Sequence, residues 1–309
     1  MAPANLAAAL TPPLPSPARQ IALALACLLA GQLISQVVGA GLLSAFGASG
    51  PADLGALAPM QLALLVASNQ CLGYLLPALA AAWMLFGDRL AGGLSLAPVP
   101  GVRRLALGVA VLAACLPLTA SLAALNAQVP LPTWATDIEQ QVAGVLAAVI
   151  RAEGARGLLV AVGLFAVLPA VAEELAFRGL LQPGIIRLTG SRHAGVWITG
   201  LAFGLAHVQL AGLLPRVWLG VVLGFLVAAG ASLWLGILAH ALFNGAQVLA
   251  VRYGEVASGV PNSEQVPLPD TLTVAWAISL AGLGLWWGLA RLAPAPERED
   301  GADEPEPGD

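Results

Sequence analysis

From Gly157 to Gln182 the chain is apolar over the roughly 20 residues an α-helix needs to cross a bilayer. Glu173, Glu174 and Arg178 nevertheless lie inside that stretch. Each such group costs roughly 2.5–3.5 kcal/mol at the centre of a spanning helix, against a gain of about 0.3–0.6 for a Leu or Val. Three together cost on the order of 8–10 kcal/mol, which about twenty apolar neighbours only just offset. A helix loaded in this way has to turn its charges toward a protein interior or a wet cavity. The rest of the chain must therefore supply other helices to enclose it.

The composition agrees. Of 309 residues, 59% are hydrophobic and 10% charged, where a soluble domain carries about 25% charged residues. The expected class is an all-α, polytopic membrane protein. Aromatics are few, at 6%, and no ten-residue segments alternate polar with apolar, as a transmembrane barrel requires. Seven of the 17 acids fall in residues 297–309, so the net charge of −4 says little about the body of the protein. All 13 basic residues are Arg and they form no cluster suited to nucleic acid. The absence of Lys beside abundant Ala, Gly and Pro points to a GC-rich bacterial coding bias. Cys27, Cys71 and Cys115 each sit in an apolar run; they are expected as free, buried thiols without metal-ligand spacing.

Eight spans are expected, near 21–46, 61–86, 103–125, 157–182, 194–209, 216–229, 232–250 and 271–290. The first run exceeds the 7–15 residues of a signal-peptide core and is favoured as a membrane helix. Residues 217–251 contain no Asp, Glu or Arg; as one helix they would be about 52 Å long, so a break is expected at Gly230-Ala231-Ser232. Between 126 and 156 an interfacial helix is expected, with Asp137 and Glu139 near its N-terminus. Residues 1–20 and 294–309 read as disordered. These segments divide the chain into an N-terminal helical part (21–155), a core (156–250), and a loop with the last span (251–293). With eight spans both termini share a face. Eight arginines would lie on that face, and Arg151, Arg156, Arg216 and Arg252 on the other, which favours cytoplasmic termini in a bacterial inner membrane.

Glu174 and Arg178, four apart, meet on one helix face, while Glu173 points about 100° away. The expected division is a Glu174–Arg178 pair with Glu173 left to face the cavity as a general base. Glu173 and His207 are each 17 residues from Gly190. A helical hairpin turning there would hold both about 25 Å from the turn, at one level. His240 and Asn244 share a face of a further helix. Two chemistries fit this set. Glu173 and His207 can polarise a water while His240 and Asn244 donate to an oxyanion. Alternatively, Glu173, His207 and His240 can hold zinc or another divalent metal with an open position, although no His-Glu-x-x-His segment occurs. His193 reads as a solvated loop residue. Ser68, Asn69 and Gln70 read as interhelical glue, and the pairs Gly200/Gly204 and Gly220/Gly224 as close-packing surfaces.

Glu173-Glu174-x-x-x-Arg178, Phe203-x-x-x-His207 and His240-x-x-x-Asn244 occur in order, each on an apolar span. Together they resemble the three-motif signature of the CAAX-protease and bacteriocin-processing (CPBP) family of intramembrane proteases, over roughly residues 155–250. The resemblance implies a multi-helix fold and peptide-bond hydrolysis inside the membrane. By position it makes Glu173, with His207, the group that activates water. It gives His240 and Asn244 to the oxyanion, and Glu174 with Arg178 to supporting the site. No cofactor is required in the preferred reading. The expected partners are membrane lipid and a membrane-associated protein or peptide substrate. The competing reading is a non-catalytic scaffold or bacteriocin-immunity protein that keeps the fold. A proton-coupled transporter is disfavoured because the chain shows no internal repeat.

Overall fold

The computed structural model describes residues 15–254 and 272–292, and among them there is no β-strand. Joined across their internal turns, nine helices follow in order. They are α1 (Pro17–Ala45), α2 (Pro59–Gly93), α3 (Val102–Ala127) and α4 (Thr133–Ile150). Then come α5 (Gly154–Thr189), α6 (Arg192–Ala206), α7 (Leu210–Gly230), α8 (Leu233–Tyr253) and α9 (Leu272–Leu292). Six of these, α1, α2, α3, α5, α7 and α8, are long and apolar enough to cross a membrane. Helix α6 has only 15 residues, and α9 contains the apolar stretch Thr273–Gly288. The fold is that of an all-α integral membrane protein. The acidic tail and most of residues 1–20 lie outside the described residues, and α1 already begins at Pro17.

Local chemistry explains the punctuation. Ser16 caps α1, its hydroxyl accepting from the Arg19 backbone N–H, and Pro17 takes the first helical position, where no donor is needed. Asp53 closes the α1–α2 connection. Its carboxylate accepts from the Ser49 hydroxyl and backbone N–H, both at 2.7 Å, and these bonds hold it below the usual carboxylate range. Gly190 turns α5 into α6 with φ +65°, and the Ser191 hydroxyl accepts from the Ala194 N–H at the start of α6. The break between α7 and α8 falls at the expected place, with Ala231 left-handed and Ser232 extended.

Several boundaries differ from expectation. Helix α5 runs for 36 residues, well past 157–182 at both ends. Helix α4 starts at Thr133, so Asp137 and Glu139 lie beyond its first turn; Glu139 is buried instead of capping. His193 is not in a loop. It lies in the first turn of α6, exposed on one side, with its ring centroid 5.6 Å from that of Phe225 and 5.2 Å from that of Trp287. The helix start brings these two rings into reach of the imidazole.

Two helices are widened internally. In α2 a π-helical turn covers Asn69–Leu75; in α5 there are two, Gly163–Val167 and Leu175–Leu181. Each ends just before a Leu-Pro or Gln-Pro step: Pro77, Pro169 and Pro183. A helix-interior proline has no N–H to give and crowds the carbonyl four residues back. A widened turn upstream relieves that crowding without ending the helix. All three lie around the Glu173–Glu174 pair, since the α2 turn packs against the α5 segment that carries it.

Two clusters make up most of the core. One joins α2, α5, α6 and α8 through Ala81, Leu180, Phe203 and Leu233; the other joins α3, α7, α8 and α9 through Leu112, Leu223, Leu235 and Trp286. Helices α6 and α7 pack closest of all. A Cβ on Gly220 would lie 2.9 Å from the Gly200 Cα, so the small-residue pairs do pack backbone against backbone. Asn69 donates to the Ser35 hydroxyl and Gln32 to the Gly73 carbonyl, which ties α1 to α2. Cys27, Cys71 and Cys115 are free thiols, only Cys115 fully buried.

Candidate active site

The charged face of α5 is a ladder with rungs four residues apart. Glu174 is fully buried, and its Oε1 accepts from Arg178 Nη1 at 2.7 Å. Arg178 is equally enclosed. Its Nη2 donates to the Gly220 carbonyl at 2.9 Å, and its guanidinium stacks 4.4 Å from the centre of the Phe203 ring. One turn on, Gln182 donates to the Gly224 carbonyl at 3.0 Å. The absence of side chains at Gly220 and Gly224 lets these groups reach the α7 backbone. Gln182 was not among the expected site residues, although the 174–178–182 spacing would have found it.

His240, 3% exposed on α8, stands between the two glutamates. Its Nδ1 is 3.1 Å from Glu174 Oε1, and its Nε2 is 3.9 Å from Glu173 Oε2. The carboxylate can only accept, so Nδ1 carries the proton in that bond. Glu174 is thus shared by a guanidinium and an imidazole. Among the described residues, no hydrogen bond reaches Glu173, whose contact with His240 is the 3.9 Å one.

His207 ends α6. Its Nδ1 is 2.9 Å from the Phe203 carbonyl, so that nitrogen donates and Nε2 keeps a lone pair. Phe203 is the common neighbour. Its ring centre lies 5.0 Å from that of His207 and 5.7 Å from that of His240. Asn244 is half-buried one turn beyond His240 on the same helix. The structure therefore gathers Arg178, His207 and His240 around Phe203, with Glu174 bonded to Arg178 and His240, Glu173 3.9 Å from His240, and Asn244 one turn beyond His240. Among the described residues, no three His, Cys, Asp or Glu side chains stand together as a metal-ligand set.

Residues 155–246 match the family model described as type II CAAX prenyl endopeptidase Rce1-like. That segment is similar to the Rce1-like endopeptidases. That match covers α5 to α8 up to Ala246, the segment that holds all three motifs, and bears out the resemblance seen in them. The family is one of membrane-embedded peptidases. No curated protein and no solved structure matches the chain. The Rce1-like segment leaves out α1 to α4, and two side chains from that part, Asn126 and Glu139, are buried and bonded to the loop after His207. Sequence reasoning missed both, because nothing local marks them.

Proposed function

We propose that this protein is an intramembrane endopeptidase in which Glu173 activates water for attack on a peptide bond of a membrane-associated protein or peptide. The observation that carries this reading is the unequal use of the two glutamates. Glu174 is spent on Arg178 and His240, whereas Glu173 reaches the same His240 only to 3.9 Å and keeps 7% of its surface open. A carboxylate so loosely engaged, with an imidazole 3.9 Å away, is the group able to take a proton from an attacking water.

The chain's own residues divide the remaining work. His207 offers its Nε2 lone pair to the same water. As the carbonyl turns tetrahedral, Asn244 donates from its amide, and His240 donates from Nε2 in its doubly protonated form. Collapse of that adduct breaks the C–N bond, and the departing amine leaves with the proton that Glu173 took. Glu174 and Arg178 hold His240 in place. The reading assigns water activation to Glu173 and His207 and routes no step through a metal. The catalytic unit is residues 156–250, set in a membrane with both termini on the cytoplasmic side.

An Rce1-like core carries the expectation of a prenylated CAAX-type C-terminus as substrate. A farnesylated peptide with that ending and an unprenylated membrane-spanning peptide are the two probes. The protein in liposomes is expected to cleave one of them, to keep doing so in chelator, and to lose that activity in Glu173→Ala while remaining folded. Turnover by Glu173→Ala equal to that of the unaltered protein would overturn the reading.

A further inference from the structure

We propose that Glu139, Gln209 and Arg216 are positioning residues that hold the turn after His207 and so aim its imidazole. The proposal rests on the hydrolytic reading above. It starts from the backbone: Val208, directly after His207, has φ +56°. A β-branched side chain in the left-handed region is a genuine outlier and persists only where its surroundings impose it.

The surroundings do so with a chain of polar contacts. Arg216, on α7, donates from Nη1 to the Gln209 carbonyl at 3.0 Å and from Nη2 to Gln209 Oε1 at 2.9 Å. Gln209 donates onward from Nε2 to Glu139 Oε2 at 3.1 Å. The other Glu139 oxygen accepts from the Ala211 N–H at 2.9 Å. Asn126 on α3 braces the far end, donating to the Leu210 carbonyl at 2.9 Å and accepting from the Leu214 N–H at 2.8 Å. Glu139 and Asn126 are only 5% and 4% exposed, so these contacts are shielded from water.

The chain is directional. The guanidinium can only donate and the carboxylate can only accept. They hold the Gln209 amide in one orientation, because a flipped amide would set its NH2 against Arg216. Glu139 lies on α4, outside the Rce1-like segment. The imidazole that the reaction needs is therefore aimed by a helix that the core does not contain.

Glu139→Gln removes the charge at nearly constant volume and leaves one acceptor oxygen for two donors, so either the Gln209 amide or the Ala211 N–H is turned against an NH2 group. It is expected to lower kcat about 10- to 100-fold while KM stays within about twofold. With only three histidines in the chain, 15N-histidine NMR gives a readout independent of turnover. In Glu139→Gln the His207 signals should shift or double, while those of His193 and His240 stay in place. Val208→Gly makes the left-handed turn free of steric cost. Combined with Glu139→Gln it should recover about tenfold of the lost kcat and return the His207 signals toward their original positions.

If Glu139→Gln does not fold, Gln209→Ala cuts the same chain from a half-buried loop position and is read the same way. Unchanged His207 signals with unchanged kcat would overturn the proposal, as would Val208→Gly deepening the loss. Glu173→Ala measured in parallel separates the two readings. Full turnover there sinks hydrolysis by Glu173, while the His207 signals still decide the role of Glu139.

Discussion

Glu174 Oε2 occupies the space that a side chain on Gly236 would need: a Cβ built there would lie 2.5 Å from that oxygen and 2.8 Å from Val227 Cγ2. The carboxylate cannot swing aside, because its other oxygen is bonded to both Arg178 and His240. Gly236→Ala is therefore expected to cost about 1–3 kcal/mol of stability, the usual range for an overpacked core. It should also displace His240 from Glu173. Thermal denaturation in detergent and turnover in liposomes should both fall, although Gly236 itself carries no reacting group.

The two neighbouring acids should respond in opposite ways. Arg178→Ala leaves Glu174 buried without its cation, and removing one partner of such a pair costs about 3–5 kcal/mol. Glu173→Gln strands no buried counter-charge and is expected to melt within about 1 kcal/mol of the unaltered protein. Measured side by side, Glu173→Gln should be stable but inactive and Arg178→Ala unstable. A melting temperature for Glu173→Gln as low as that of Arg178→Ala would show that the first glutamate is structural after all.

Arg252, in the last turn of α8, donates to the carbonyls of Ile150 at 2.6 Å, Ala152 at 2.8 Å and Gly154 at 3.1 Å. It caps the end of α4 and fastens the start of α5 to the helix that carries His240 and Asn244. Arg252→Ala should expose residues 150–156 to proteolysis at least several-fold faster. It should cost roughly 1.5–3 kcal/mol, the range for a charge-assisted hydrogen bond. Arg252→Lys keeps the charge but not the fork and should recover only part of this.

The parts of this architecture that a bilayer dictates could be read from the residues. Hydrocarbon thickness sets the length of each apolar run, so the eight segments and the break at Ala231 follow from counting. The pairing of Glu174 with Arg178 follows from helix geometry. The level match of Glu173 with His207 across the Gly190 turn is an inference from distance along two helices. Contacts between distant parts of the chain were not legible. Glu139 meets Gln209 and Ala211 across 70 and 72 residues, and its place on α4 looked like that of an ordinary N-terminal acid. The widened turns were also missed, because a Leu-Pro step inside an apolar run reads as a kink and not as an extra residue.

A π-turn holds one residue more than an α-turn, and each extra residue rotates everything beyond it by about 100°. The widened turn Gly163–Val167 stands immediately before the α-helical segment Leu168–Glu174 that carries the glutamates. It sets the phase of Glu173 and Glu174 against the first half of α5, which Arg252 anchors. Losing a single residue there would keep every acidic and basic group in the chain, yet swing the carboxylate pair a quarter-turn or more off its present heading. The direction in which this protein points its charge is thus encoded by the tally of apolar residues in a turn that carries no charge itself.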